Sequence, residues 1–330
     1  MRVPTGLLLA LCLLWPAAAA AAGACVLPPP ASTTTLGQRV AALACAEHNL
    51  WHRPFIDIEG RMASMTVAEA ESSRLADGGT EPWRRVAMYW RDAGLDWRSN
   101  AGVSAGTCAA PVMGGTASMC RATIVDNPWS AAFVSWLMAR AGVPGFRLSA
   151  SHFEYIVHAG QGGGPYSLHD PASTAPGVGD LLCFVRANGA TFGHAGLRGY
   201  ISGGAGGLAM HCDVVVNADP SRGRVDLVGG NVLQGVTMRS LHLNRNGLLW
   251  NLPQRLPQGA CTPDNATACS FNRQDWVALL KLDVAGQPAP AWQPERGLMP
   301  TPRQDCCINC VVGSGVPRCP APAAPVVPAG

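Results

Sequence analysis

The chain has 330 residues, 24 Lys+Arg against 21 Asp+Glu, and a formal net charge of +3. Lys281 is the only lysine, and the arginines are scattered with no basic stripe interleaved with aromatics, which excludes nucleic acid as an expected partner. The length suits one large globular domain with extensions, or two small ones.

Met1-Arg2, an apolar stretch from Leu7 to Trp15, and alanines ending in Ala22-Gly23-Ala24 predict a cleavable signal peptide over residues 1–24, hence a periplasmic or secreted protein. The apolar run from Gly6 to Ala22 is interrupted by Pro16 and lies near the lower limit of about 18 residues for a membrane span. No transmembrane segment is therefore expected after cleavage. Lipidation of Cys25 is the alternative, but the aliphatic residue that signal needs three positions back is missing.

Beyond the leader stand Cys25, Cys45, Cys108, Cys120, Cys183, Cys212, Cys261, Cys269, Cys306, Cys307, Cys310 and Cys319. An even number of cysteines in an exported chain predicts disulfides. The expected loops are Cys108–Cys120 and Cys261–Cys269, with the last four cysteines linked among themselves. Those four lack the paired CxxC spacing of a zinc knuckle, so no metal is expected, and no cofactor.

Residues 25–35, rich in Pro and Thr, are expected to be a flexible tether. Residues 36–125 form an expected N-terminal helical region. Leu36 to Leu50 reads as a helix, Thr66-Val-Ala-Glu69 as a capping box opening a second, and Pro82 as the start of a third, with Trp83, Val86, Ala87 and Trp90 on its core face. The Gly- and Ala-rich stretch from Cys108 to Cys120 is expected to be a loop. A further helix comes next, with Asp126 or Asn127 as cap, Pro128 in the first turn and Gly142 as stop.

Short β-like runs then alternate with Gly-rich turns: 180–185, 196–201, 209–216, 224–229, 236–243 and 276–282. Helices followed by a meandering antiparallel sheet give an α+β domain over 126–283. Residues 284–330 read as a Pro-rich, Cys-rich tail without a large core of its own.

Four segments occur in one order: Pro128-Trp-Ser-Ala-Ala-Phe-Val-Ser-Trp136, Gly177-Val-Gly-Asp-Leu-Leu-Cys-Phe184, His211-Cys-Asp-Val-Val-Val216 and Gly229-Gly-Asn-Val232. They resemble the papain-like NlpC-type and CHAP-type amidases of bacterial cell walls. They are more closely similar to an uncharacterised bacterial family, a domain of unknown function, related to them. The resemblance spans roughly Asp126 to Leu282 and implies a papain-like core with N-terminal helices packed on a small antiparallel sheet.

It also implies a nucleophile at Ser130, a base at His211 and an orienting residue at Asn231, with Cys183 and Cys212 on neighbouring strands and expected to form a disulfide across the sheet. The amidases carry Cys where this chain has Ser130, and a hydroxyl, unlike a thiol, needs a general base at the moment of attack. Ser near a helix start is also a common cap, His211 a possible rim residue and Asn231 a turn former. Ser149-Ala-Ser-His-Phe-Glu-Tyr155 resembles the same uncharacterised family and leaves His152 as an alternative base, with Glu154 or Tyr155 as ligand-binding candidates. His158, His169 and His194 lie in Gly-rich connections and are expected to be solvated loop residues.

The expected function is an exported, peptidoglycan-directed amide hydrolase with Ser in place of Cys. The alternative is a non-catalytic papain-like envelope protein that binds cell-wall peptide or a protein partner. A secreted toxin or inhibitor is the third.

Overall fold

The apolar spacing that begins at Leu36 forms helix α1 (Leu36–Leu50), with Thr35 accepting from the Gln38 N–H as its cap and Val40, Leu43 and Ala44 buried beneath it. The structure, a computed structural model, describes residues 25–95, 97, 102–186, 191–204, 206–255 and 261–293. The expected signal peptide and Cys306, Cys307, Cys310 and Cys319 lie outside the described residues.

Pro82 opens α2 (Pro82–Asp92), whose Trp83, Val86 and Ala87 are fully buried. Two helices, α3 (Ala105–Ala109) and α4 (Gly114–Asp126), occupy the stretch expected to be a loop, and the Cys108–Cys120 disulfide ties them together. Because α4 runs to Asp126, neither Asp126 nor Asn127 caps the next helix. Helix α5 (Ser130–Ala141) starts at Ser130, with Trp129 in the capping position and no side-chain cap. Gly142, at φ 73°, ends it in the left-handed conformation that favours glycine. Helices α6 (His152–Gly160) and α7 (Gly193–Ser202) complete the set.

Among the described residues, eight strands form one sheet: β1 (Phe55–Ile56), β2 (Met62–Ser64), β3 (Tyr166–His169), β4 (Leu181–Val185), β5 (Met210–Asp219), β6 (Arg224–Val232), β7 (Gly235–His242) and β8 (Asp275–Leu282). Their order is β2-β1-β7-β6-β5-β4-β8-β3, antiparallel except where β1 meets β7. The architecture is thus mixed α+β, with a larger sheet than the sequence suggests. Strands β1 and β2, from the region read as helical, join it at one edge.

Alternation along the strands supplies two apolar faces. Cys212, Val214 and Val216 share the main core with α1, α2 and α5, while Leu182, Phe184, Val215, Leu227, Trp276 and Leu279 form a second cluster on the other side. Gly230 lets α5 lie close to the sheet, since a Cβ there would meet Phe133 at 2.6 Å. A Cβ at Gly229 would meet the Asp213 carboxylate at 1.8 Å. The Gly-Gly pair therefore makes room on both faces at once.

Several sequence expectations are corrected. Thr66–Glu69 opens no helix; the Glu69 N–H instead donates to the Gln234 carbonyl (2.8 Å), and no apolar helical repeat follows. Residues 196–201, read as a strand, lie in α7, where Leu197 is buried. His158, His169 and His194 sit on α6, β3 and α7 respectively, and His194 Nδ1 pairs with the Val277 carbonyl (2.8 Å). Residues 25–35 are fastened, not free: Cys25 is bonded to Cys45, and Pro30–Ser32 form a turn of 3-10 helix. The start of the tail runs back along them, with Leu36 and Ala289 N–H groups donating to Gln287 and Thr34 carbonyls.

Four disulfides are present among the described residues: Cys25–Cys45, Cys108–Cys120, Cys183–Cys212 and Cys261–Cys269. Cys183 and Cys212 face each other across β4 and β5.

Candidate functional site

The N-terminus of α5 fixes Ser130, and the loop after α5 brings His152 to it. Ser135, one turn into α5, donates to the Ser149 carbonyl (2.9 Å) and accepts from the Ser149 N–H (3.0 Å). The Ser149 hydroxyl then accepts from the Ser151 N–H (3.0 Å), so the chain enters α6 in a set geometry. His152, the first residue of α6, places Nε2 2.8 Å from Ser130 Oγ. Its Nδ1 meets the Tyr155 hydroxyl, one turn further on.

Both Ser130 and His152 are 3% exposed. Burial, then the positive charge of His211, then that of Arg186 hold His152 well below the usual imidazole range, so its ring is neutral. Burial also pushes the Tyr155 hydroxyl well above the ordinary phenol range.

His211 stands at the start of β5, on the face that alternation gives to Val215. Its ring lies 5.2 Å from that of His152 and 5.0 Å from Phe184. Nε2 bonds Asp213 Oδ1 (2.7 Å), two residues along the strand and so on the same face. Asp213 Oδ2 accepts from Arg239 Nε on β7 (3.2 Å), and Arg239 in turn reaches the Phe271 carbonyl and Asn272 Oδ1 (3.0 Å). Burial works to raise the Asp213 pKa, but the charges and hydrogen bonds of His211 and Arg239 outweigh it and hold the carboxyl below its ordinary range.

Asn231 is turned away from this pair. Its amide nitrogen donates to Glu69 Oε2 (3.2 Å) and its oxygen accepts from the Trp129 N–H (3.1 Å). Glu69 also accepts from Trp129 Nε1 (2.7 Å), and burial pushes its carboxyl up, partly offset by that bond. Asn231 and Glu69 thus clamp the residue before Ser130, and the group that meets His211 is Asp213. Glu154 lies outside the cluster, half exposed and paired with Arg147 (3.2 Å).

A cavity of about 210 Å³ opens beside His211, lined also by Phe184, Arg186, Asn231, Arg239 and Arg255. Neither Ser130 nor His152 lines it. The β6–β7 turn forms one wall, with Asn231, Leu233 and Gln234 all at positive φ (56°, 52° and 63°). A bulky residue such as Leu233 in this region is strained, and non-glycine residues held so are concentrated at functional sites.

A family profile described as an uncharacterized protein conserved in bacteria, DUF2272, matches residues 77–282, more than half of the chain. The chain belongs to the DUF2272 family. No curated protein and no solved structure matches it. The DUF2272 segment contains Ser130, His152, Tyr155, His211, Asp213, Asn231 and Arg239, whereas Glu69 precedes it.

Asp213 and Arg239 were not singled out by sequence reasoning. The signal for Asp213 was available: in His211-Cys-Asp213 a carboxylate two residues from a strand histidine shares its face. Arg239 carried no such sign, since only the sheet register brings it to Asp213. Among the described residues, no three His, Cys, Asp or Glu side chains converge to hold a metal ion, and no helix is long and apolar enough to cross a membrane.

Proposed function

We propose that this DUF2272 protein is an exported hydrolase of amide bonds in cell-wall peptide, with Ser130 as nucleophile and His152 as its general base. The observation that carries this reading is the 2.8 Å bond between Ser130 Oγ and His152 Nε2 at the N-terminus of α5. A neutral imidazole can take the hydroxyl proton during attack, with the Tyr155 oxygen accepting the proton on Nδ1. The first N–H groups of α5 have no intrahelical acceptor and supply a positive field for the oxyanion. His152 then returns the Ser130 proton to the leaving amine, while His211, backed by Asp213 and Arg239, lies beside the dyad. Ser130 at a helix N-terminus beside an antiparallel sheet supports a papain-like arrangement, but the histidine that meets it comes from α6 and not from the strand position His211. The leader and the four disulfides support export.

The test is release of amines from purified peptidoglycan by the mature, oxidised chain. Loss of release in Ser130→Ala and in His152→Ala, with unfolding midpoints near the parent's, is expected. Release that persists in Ser130→Ala would refute the nucleophile.

A second reading, a non-catalytic binder of cell-wall peptide or a protein partner, has its own support. Tyr155 has no other hydrogen-bond partner among the described residues, so its proton is best placed on His152 Nδ1. That tautomer puts the imidazole proton on Nε2, facing Ser130, where it cannot act as base. Saturable binding of peptidoglycan fragments with no amine release would favour this reading.

A further inference from the structure

We propose that the cavity beside His211 binds an anionic, oxygen-rich group, a carboxylate or a phosphate, through Arg186 and Arg255. The inference does not depend on Ser130 being a nucleophile. Three arginines and His211 line this 210 Å³ space, and among the described residues no acidic side chain does. The Asp213 carboxylate behind His211 is committed to His211 and Arg239. Arg239 is buried and held in place by Asp213, Phe271 and Asn272, so its charge is a fixed part of the wall.

Arg186 follows β4 directly, is exposed, and forms no ion pair among the described residues. Arg255 is half-buried and anchored by a bond from Nη2 to the Val185 carbonyl (2.6 Å), which sets its guanidinium beside the end of the same strand. Convergent guanidinium groups are suited to carboxylate and phosphate oxygens, whose planar or tetrahedral edges they meet with paired N–H donors. Gln274, also in the wall, adds a neutral polar group. The strained β6–β7 turn closes one side.

The experiment uses the mature, oxidised chain, titrated with glutarate, with inorganic phosphate and with neutral glutaramide. Binding is read by calorimetry and by the ring resonances of His211. Glutarate or phosphate should bind and shift His211, glutaramide should not, and Arg186→Gln or Arg255→Gln should weaken binding roughly tenfold. Response to glutarate alone identifies a carboxylate source, and response to phosphate alone a phosphate source. Four results would overturn the proposal: no His211 shift with either anion, equal binding of glutaramide, unchanged affinity in both variants, or an equal loss in Arg222→Gln. Arg222 lies at the β5–β6 turn and is paired with Asp219, away from the cavity wall.

Discussion

His152 and His211 stand with their ring centroids 5.2 Å apart, one carried by a helix and the other by a strand, and each is held by a different partner. Two buried imidazoles this close cannot both be charged at modest cost. Burial disfavours a proton on His152, and the neighbouring His211 acts in the same direction.

The His152 ring should therefore stay neutral on acidification well past 6.5, the ordinary imidazole value. Nitrogen-15 shifts of the ring would report this directly. An inflection at or above that value would show that burial and the His211 charge do not govern the site.

Asp213 should be costly to replace. Asp213→Asn keeps the shape but leaves the Arg239 charge buried without its counter-ion, and breaking such a pair typically costs about 3–5 kcal/mol. Because the folded-state pKa of Asp213 is depressed, its contribution is complete above 3.8 and is lost as pH falls through the lower folded value. Urea denaturation of Asp213→Asn against the Asp213→Asn/Arg239→Met pair measures it. The double variant should recover part of the loss, and no recovery would mean that the ion pair is not its source.

The Cys25–Cys45 bond bears on whether Cys25 carries a lipid. A sulfur engaged in a disulfide cannot carry a thioether-linked lipid, so exported material should show an unlipidated Cys25 joined to Cys45. Linking residues 20 apart stabilises the fold by about 3 kcal/mol on the chain-entropy model. Peptide mapping without reduction would recover all four pairs. A diacylglyceryl mass increment on Cys25 would exclude this one.

The helices α1, α2 and α5 were legible in the sequence because buried positions recur at helical spacing between clear stops, as from Trp83 to Trp90 and at Gly142. The central strands β4 to β7 were legible from short apolar runs between turns. Strands β1 and β2 were not, because two and three residues carry no measurable period, and only pairing of β1 with β7 and of β2 with β1 makes them strands. In the candidate site, the proximity of Ser130 to a histidine was foreseen, but spacing left His152 and His211 both open. The contact that separates them depends on how Ser135 anchors Ser149. Asn231 was read from its motif as a partner for His211. The positive φ that puts it in the β6–β7 turn directs its amide toward Glu69 instead.

His48 should make the fold acid-sensitive from the last turn of α1. Its Nε2–H meets the Pro54 carbonyl (3.0 Å), and its Nδ1 is buried with no partner among the described residues. A proton on Nδ1 would be a buried charge without a counter-ion. Burial accordingly lowers the His48 pKa from 6.5 to about 4, with the Arg53 charge acting the same way and the Pro54 bond opposing. In the unfolded chain the same ring protonates near 6.5, so the unfolded state binds more protons between those values and stability falls as pH drops. The contribution is complete above 6.5 and is lost progressively toward about 4, a change on the order of 3 kcal/mol. His152, also depressed, adds a loss of the same sign. His48→Gln keeps an N–H for Pro54 but cannot titrate, so its urea midpoint should decline less steeply with pH than the parent's. Parallel declines in the two proteins would show that His48 is not the group being protonated.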